Sequence, residues 1–315
     1  MKRVLIAAAF AQLLLLGACE QAAQTFAPAD TGSTPALAGE DMPAFFDCLR
    51  MSSQTIVAAH RGGPEPGYAE NAIETFAHTV SQVPVALEID IARTRDDALV
   101  LMHDDDVART TNGSGAVRDL TLATFQALSL KDETGAVLDA HPPTFRDALD
   151  WAEGNAILEL DVKRGVSYED VIAEVRAANA ADRVIFITYS TDAAIRVHRL
   201  APELMLSVSI DSPEDLSTLV ARGVDLTKVL AWTGTEEPNS ELNVALNQRG
   251  IEVLFGTLGR PSESWDGRFE REGDEYAAFA DTGIQLIATD RPVEAVANLD
   301  AHDGVDGYGA LQCVK

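Results

Sequence analysis

Short apolar runs alternate along most of the chain with longer stretches in which apolar residues recur every three to four positions. The runs are TIVAAH (55–60), ALEIDI (86–91), AILELDV (156–162), RVIFITY (183–189), LMLSVSI (204–210), KVLAW (228–232), IEVLFGT (251–257) and IQLIAT (284–289). Their length and their Val, Ile and Leu content predict strands buried on both faces. The stretches between them predict amphipathic helices, with start and stop signals in place. Ser167 precedes YEDVIAEVRAA with Asp170 three positions on, Ser212 precedes a proline at the first helical position, and Gly250 and Gly283 fall where helices end. Eight such units predict an α/β fold, a closed (β/α)8 TIM barrel over residues 51–315. An open doubly wound sheet is the alternative, although GGPEPG after the first run lacks the GxGxxG spacing. A further run, LVLMH (99–103), follows a turn at Arg95-Asp96-Asp97 and predicts a short β-hairpin excursion after the second strand.

Polar residues inside these runs break the apolar pattern at one end. Side chains alternate across a strand, so Glu88 and Asp90 share a face while Leu87, Ile89 and Ile91 fill the other. Glu159, Asp161 and Lys163 are spaced i, i+2, i+4 and share a face in the same way. His60-Arg61-Gly62 ends the first run, His103-Asp104 the hairpin run, Trp232-Thr233 the sixth and Thr289-Asp290 the eighth. Catalytic groups of β/α barrels come from the C-terminal ends of several strands. Taken singly, each group has a plain structural reading: a histidine that only hydrogen-bonds, or a Lys163 that only neutralises Asp161 and Glu159. Taken together, carboxylates converging from neighbouring strands repel unless a cation lies among them. Oxygen-only donors suit one Mg²⁺ or Ca²⁺ ion better than zinc. His78, His141, His198 and His302 fall away from strand ends and read as surface or structural residues.

Composition narrows the setting. A net charge of −26 argues against a nucleic-acid partner, because phosphate backbones demand an excess of Lys and Arg. Residues 1–18 read as an export signal: basic Lys2 and Arg3, an apolar run from Val4 to Leu16, and small residues before Cys19. The run is short for a membrane span. LGAC resembles a bacterial lipobox, which makes Cys19 the lipid-modified first residue of an exported protein anchored in the cell envelope, periplasm-facing or on the outer membrane. An ordinary cleavable signal is the alternative. Residues 19–50 read as a tether and N-terminal segment, rich in Ala, Thr, Gln, Pro and Gly, with a short helix around Asp41 to Met51. Cys48 and Cys313 remain, an even number that in an oxidising compartment points to a disulfide or else to two separately buried thiols.

HRGGPEPGYAENAIETF, LEIDIARTRDDALVLMHD, RTTNGSGAVRDLT, PPTFRDALDW, ELDVK and ATDRP together resemble the glycerophosphodiester phosphodiesterase family over roughly residues 55–295. The resemblance implies a TIM barrel and metal-dependent hydrolysis of a small glycerophosphodiester to glycerol 3-phosphate and an alcohol. It implies His60 and His103 as the acid–base pair, Arg61 and Lys163 on the phosphate oxygens, and Glu88, Asp90 and Asp161 on the metal. Asp161-Val162-Lys163 stands where the family has E-x-K, and Glu159 is a further candidate for that third ligand. Ala69 and Ala72 replace a Pro and a Thr of the pattern, and Asp97 replaces a turn Gly. Phe255-Gly256-Thr257 occupies the place of a family Trp strand, while Trp232-Thr233 lies one strand earlier. Two other readings remain: a phospholipase D- or C-like barrel enzyme acting on (lyso)phospholipid, and a non-catalytic surface lipoprotein that binds phosphate esters.

Overall fold

A computed structural model of the chain describes Leu37, residues 41–303 and residues 310–313. The export signal, Cys19 and most of the tether lie outside the described residues. No helix among the described residues is long and apolar enough to cross a membrane.

Nine strands form one sheet: β1 Ile56–Ala59, β2 Ala86–Arg93, β3 Leu99–Leu101, β4 Leu158–Val162, β5 Val184–Thr188, β6 Met205–Ser209, β7 Val229–Trp232, β8 Glu252–Gly256 and β9 Leu286–Thr289. All but β3 are parallel, and the pairing of β1 with both β2 and β9 closes them into an eight-stranded ring. Helices on the outside connect the strands, as a TIM barrel requires. Their starts follow the sequence signals: Ser167 Oγ accepts from the Asp170 N–H at 3.1 Å, and Ser212 and Asp215 form a reciprocal capping box.

The strand period of two sorts the core into layers. Leu87, Ile89, Leu158, Leu160, Phe186, Leu206 and Ile287 point outward and pack against the helices. Ile56, Ala86, Ile157, Ile185, Met205, Leu230 and Leu286 point inward and fill the lower lumen. The helix Met42–Ser52 plugs that end, laying Phe45, Phe46 and Leu49 on the inward layer. Each such side chain contributes about 2–3 kcal/mol on burial, so the folded unit begins well upstream of residue 51. A disulfide joins Cys48 in this helix to Cys313, with a Cα–Cα separation of 5.6 Å.

The excursion after β2 is larger than the expected hairpin. β3 pairs antiparallel with β2 outside the ring, Ile91 opposite Leu101, and Asp97 takes the left-handed φ of 66° at the turn. That φ is why glycine suits this position. Beyond β3, residues 102–143 fold irregularly over a separate apolar cluster of Val100, Met102, Val107, Val117 and Phe125. This segment carries His103 to the C-terminal mouth of the barrel.

Candidate active site

β1 ends at Ala59, and His60–Gly62 form a single 3-10 turn with Arg61 at φ 51°. A side-chain-bearing residue tolerates that conformation only where its surroundings impose it. Here the Arg61 N–H donates to Glu88 Oε2 at 2.8 Å and its carbonyl accepts from the Asn71 N–H at 2.9 Å. Gly62 is required next to it, because a Cβ would lie 2.3 Å from the Phe76 ring. The turn aims His60 into the barrel mouth, where Nδ1 is 2.6 Å from Asp290 Oδ1. Arg61 Nε donates to His60 Nε2 at 3.3 Å, so Nε2 carries a lone pair and Nδ1 carries the proton. Burial raises the Asp290 carboxyl, but hydrogen bonds from His60 and from the Gly259 N–H outweigh it and hold the group below its ordinary value.

The register of β2 against β4 sets Glu88 opposite Glu159 and Asp90 opposite Asp161. Glu88, Asp90 and Asp161 present carboxylate oxygens that all lie within 4.8 Å of one another; Glu159, one pleat below Asp161, is not in that group. Asn71 grips Asp90 twice, donating to its carboxylate at 2.6 Å and accepting from its N–H at 2.9 Å. Lys163 Nζ lies 2.5 Å from Asp90 and 2.6 Å from Asp161. Burial raises the Asp90 carboxyl, yet Lys163, His103 and Asn71 together bring it below its usual range. Glu88 goes the other way, pushed well up by burial and by the charge of Asp90. Burial also raises Glu159, to about 8, and no charged neighbour offsets it.

His103 lies on the irregular segment, with Nδ1 2.7 Å from Asp104 Oδ1. Arg109 fixes that carboxylate at 2.6 and 3.0 Å and holds it far below its usual range. The same guanidinium binds Glu70 at 2.7 and 2.8 Å, and Arg61 reaches Glu70 at 3.1 Å. Glu70 thus ties the β1 turn to the excursion that carries His103. Both histidines line one cavity of about 780 Å³ with the carboxylates, Arg61, Lys163, Tyr189 and Trp232. Gly256 makes room for Trp232, since a Cβ there would lie 2.6 Å from the tip of the indole.

The donor set fits a hard divalent cation. Three carboxylates face one Lys163, Glu88 is driven toward protonation by its neighbours, and all the donor atoms are oxygens. Sequence reasoning singled out His60, His103, Arg61, Lys163, Glu88, Asp90 and Asp161, and the fold brings all of them to one cavity. It assigned no role to Asn71, Glu70, Asp104, Arg109 or Asp290, although each lies inside a quoted motif.

Residues 60–294 match the model of the glycerophosphoryl diester phosphodiesterase family. A glycerophosphodiester phosphodiesterase of Caldanaerobacter subterraneus is 28% identical over 162 residues, covering 49% of this chain and 66% of that protein, just under two thirds of its length. One from Bacillus subtilis is 28% identical over 229 residues, covering 65% of this chain and 74% of its own. The crystal structure of a glycerophosphoryl diester phosphodiesterase from Parabacteroides distasonis matches with a TM-score of 0.70 and 29% identity, over 82% of this chain and 92% of that one. A phosphodiesterase of Oleispira antarctica, crystallised with the product sn-glycerol-3-phosphate, shares the fold with a TM-score of 0.58 at 20% identity, over 80% of this chain and 99% of its own. With a match running from His60 past Asp290, over both histidines and all three carboxylates, the chain belongs to the glycerophosphoryl diester phosphodiesterase family, a family of phosphoric diester hydrolases.

Proposed function

We propose that the protein hydrolyses glycerophosphodiesters to glycerol 3-phosphate and an alcohol, with His60 and His103 as the acid–base pair and a divalent cation, Mg²⁺ or Ca²⁺, as cofactor. The observation that carries this reading is the pair of His–carboxylate dyads, His60–Asp290 and His103–Asp104, opening on one cavity with three buried carboxylates. Each dyad occupies Nδ1; the Nε2 of His60, which accepts from Arg61 Nε at 3.3 Å, is freed for substrate as Arg61 turns to the anionic oxygens. His60 Nε2, with its lone pair, takes the proton of the attacking hydroxyl or water. His103 delivers a proton to the leaving alkoxide, with Asp104 orienting its ring. Arg61 contacts the anionic oxygens with a planar fork and Lys163 with a point charge. A divalent cation held by Glu88, Asp90 and Asp161 would neutralise charge building on the phosphoryl oxygens.

The same proposal includes an exported protein anchored through Cys19. The disulfide between Cys48 and Cys313 supports export, though not the anchor, independently of the signal sequence, because such bonds persist in oxidising compartments. The functional test is a panel of glycerophosphocholine, a lysophospholipid and phosphatidylinositol, each with Mg²⁺, with Ca²⁺ and with EDTA. Turnover of glycerophosphocholine alone, abolished by EDTA, is expected. Preference for an acylated lipid would favour the phospholipase reading, and no turnover of any of the three would favour the binding lipoprotein.

A further inference from the structure

Glu159 is only 1% exposed, faces the lumen one pleat below Asp161 and lines the cavity floor. Its Oε1 has no hydrogen-bond partner among the described residues. Leaving a buried polar atom unpaired is costly, and a leucine would occupy the same space without that cost. Its neighbours in register are Ile185 on β5, which offers nothing to bond, and Glu88 on β2, whose Oε2 accepts from the Arg61 N–H and which makes no hydrogen bond to Glu159 Oε1. The two cations nearest the carboxylate group are engaged above it, Lys163 by Asp90 and Asp161 and Arg61 by Glu70. The partner that satisfies Glu159 therefore comes from the cavity.

The surrounding wall indicates the chemistry of that partner. Ser207 and Ser209 reach the cavity from β6, and Ile187, Leu254 and Ala288 supply aliphatic surface. One carboxyl and two hydroxyls among aliphatic groups offer a phosphate no cation and complement neutral hydroxyls on a short carbon chain. We propose that Glu159 is a specificity-determining residue that hydrogen-bonds a free hydroxyl of the glycerol moiety at the floor of the cavity. The inference rests on the hydrolase reading above and deepens it.

The test is calorimetric titration of the full chain, at saturating Mg²⁺, with sn-glycerol 3-phosphate and with n-propyl phosphate, which lacks both hydroxyls. The wild type should prefer glycerol 3-phosphate, and Glu159→Leu should reduce the ratio of the two Kd values by roughly 10- to 100-fold. Glu159→Gln, which can still hydrogen-bond a hydroxyl, should restore most of the preference. Glu159→Met makes the same deletion should leucine not pack. An unchanged ratio overturns the proposal, and so does equal weakening of both ligands with a lower melting temperature, the mark of a purely structural residue. Loss of Mg²⁺ affinity with the ratio intact overturns it as well, by making Glu159 a metal ligand. A collapsed ratio in a protein that turns over no glycerophosphodiester would sink the hydrolase reading and leave hydroxyl recognition standing. Turnover with an unchanged ratio would do the reverse.

Discussion

The disulfide at the base of the barrel closes nearly the whole folded chain into one loop, and its removal has a calculable cost. Cys48 and Cys313 are 265 residues apart in sequence. A cross-link over a loop of that length removes about 19 cal/mol/K of entropy from the unfolded chain, or about 5.5 kcal/mol at 25 °C. Measured effects fall below this ceiling because unfolded chains retain structure, so about 3–5 kcal/mol is expected. At roughly 2–3 °C per kcal/mol for a domain of this size, reduction should lower the melting temperature by roughly 6–15 °C. The native fold should survive reduction at 25 °C, because Phe45, Phe46 and Leu49 keep the base helix buried without the bond. The assay is thermal melting followed by circular dichroism with and without a phosphine reductant. A Cys48→Ser/Cys313→Ser double variant should melt at the reduced temperature and ignore the reductant. Identical melting with and without reductant, or two additional free thiols titrating from the unreduced denatured chain, would refute the reasoning.

Other expectations follow from the site. His60→Ala and His103→Ala should each lower kcat by roughly 10²- to 10⁴-fold, and full activity in either would remove that residue from the acid–base pair. Arg109→Met should raise the pH midpoint of acid unfolding. Asp104 is held low chiefly by its hydrogen bonds to Arg109, so its stabilising contribution is full above its ordinary pKa and is lost only as pH falls through the depressed one. Without Arg109 that loss begins nearer pH 4, and a midpoint unchanged in circular dichroism between pH 2 and 5 would contradict the account. Gly256→Ala should push the Trp232 indole into the cavity at a stability cost of about 1–3 kcal/mol, with a raised KM in steady-state kinetics. Unaltered KM would show that the ring takes no part in binding.

The barrel was legible because eight apolar runs alternate with amphipathic stretches, and within the second run a period of two sorts the faces. Leu87, Ile89 and Ile91 had to face helices, and Glu88 and Asp90 had to face a polar lumen, whatever the rest of the chain did. Helix starts were equally local, as Ser167 and Ser212 show. The excursion over residues 102–143 was not legible beyond its first strand, since it owes its form to turns, two short helices at Val117–Asp119 and Leu122–Gln126, and a small cluster around Phe125, all too short to show a period in sequence. Nor were the dyad partners. Asp290 and Asp104 sit beside motif residues, but only the closing of the ring sets Asp290 against His60, 230 residues earlier. Strand spacing alone did not separate Glu159 from Asp161; the resemblance favoured Asp161, and the fold sets Asp161 beside Asp90 and leaves Glu159 one layer deeper, its Oε1 without a hydrogen-bond partner among the described residues.

The central claim is the bond that is cut and what cutting it requires. Phosphorus NMR of glycerophosphocholine with the purified protein follows that bond directly. With Mg²⁺ or Ca²⁺ present, the diester signal should give way to glycerol 3-phosphate, with free choline released, and EDTA should stop the reaction. Phosphocholine as the product, or the same rate in EDTA, would contradict the account.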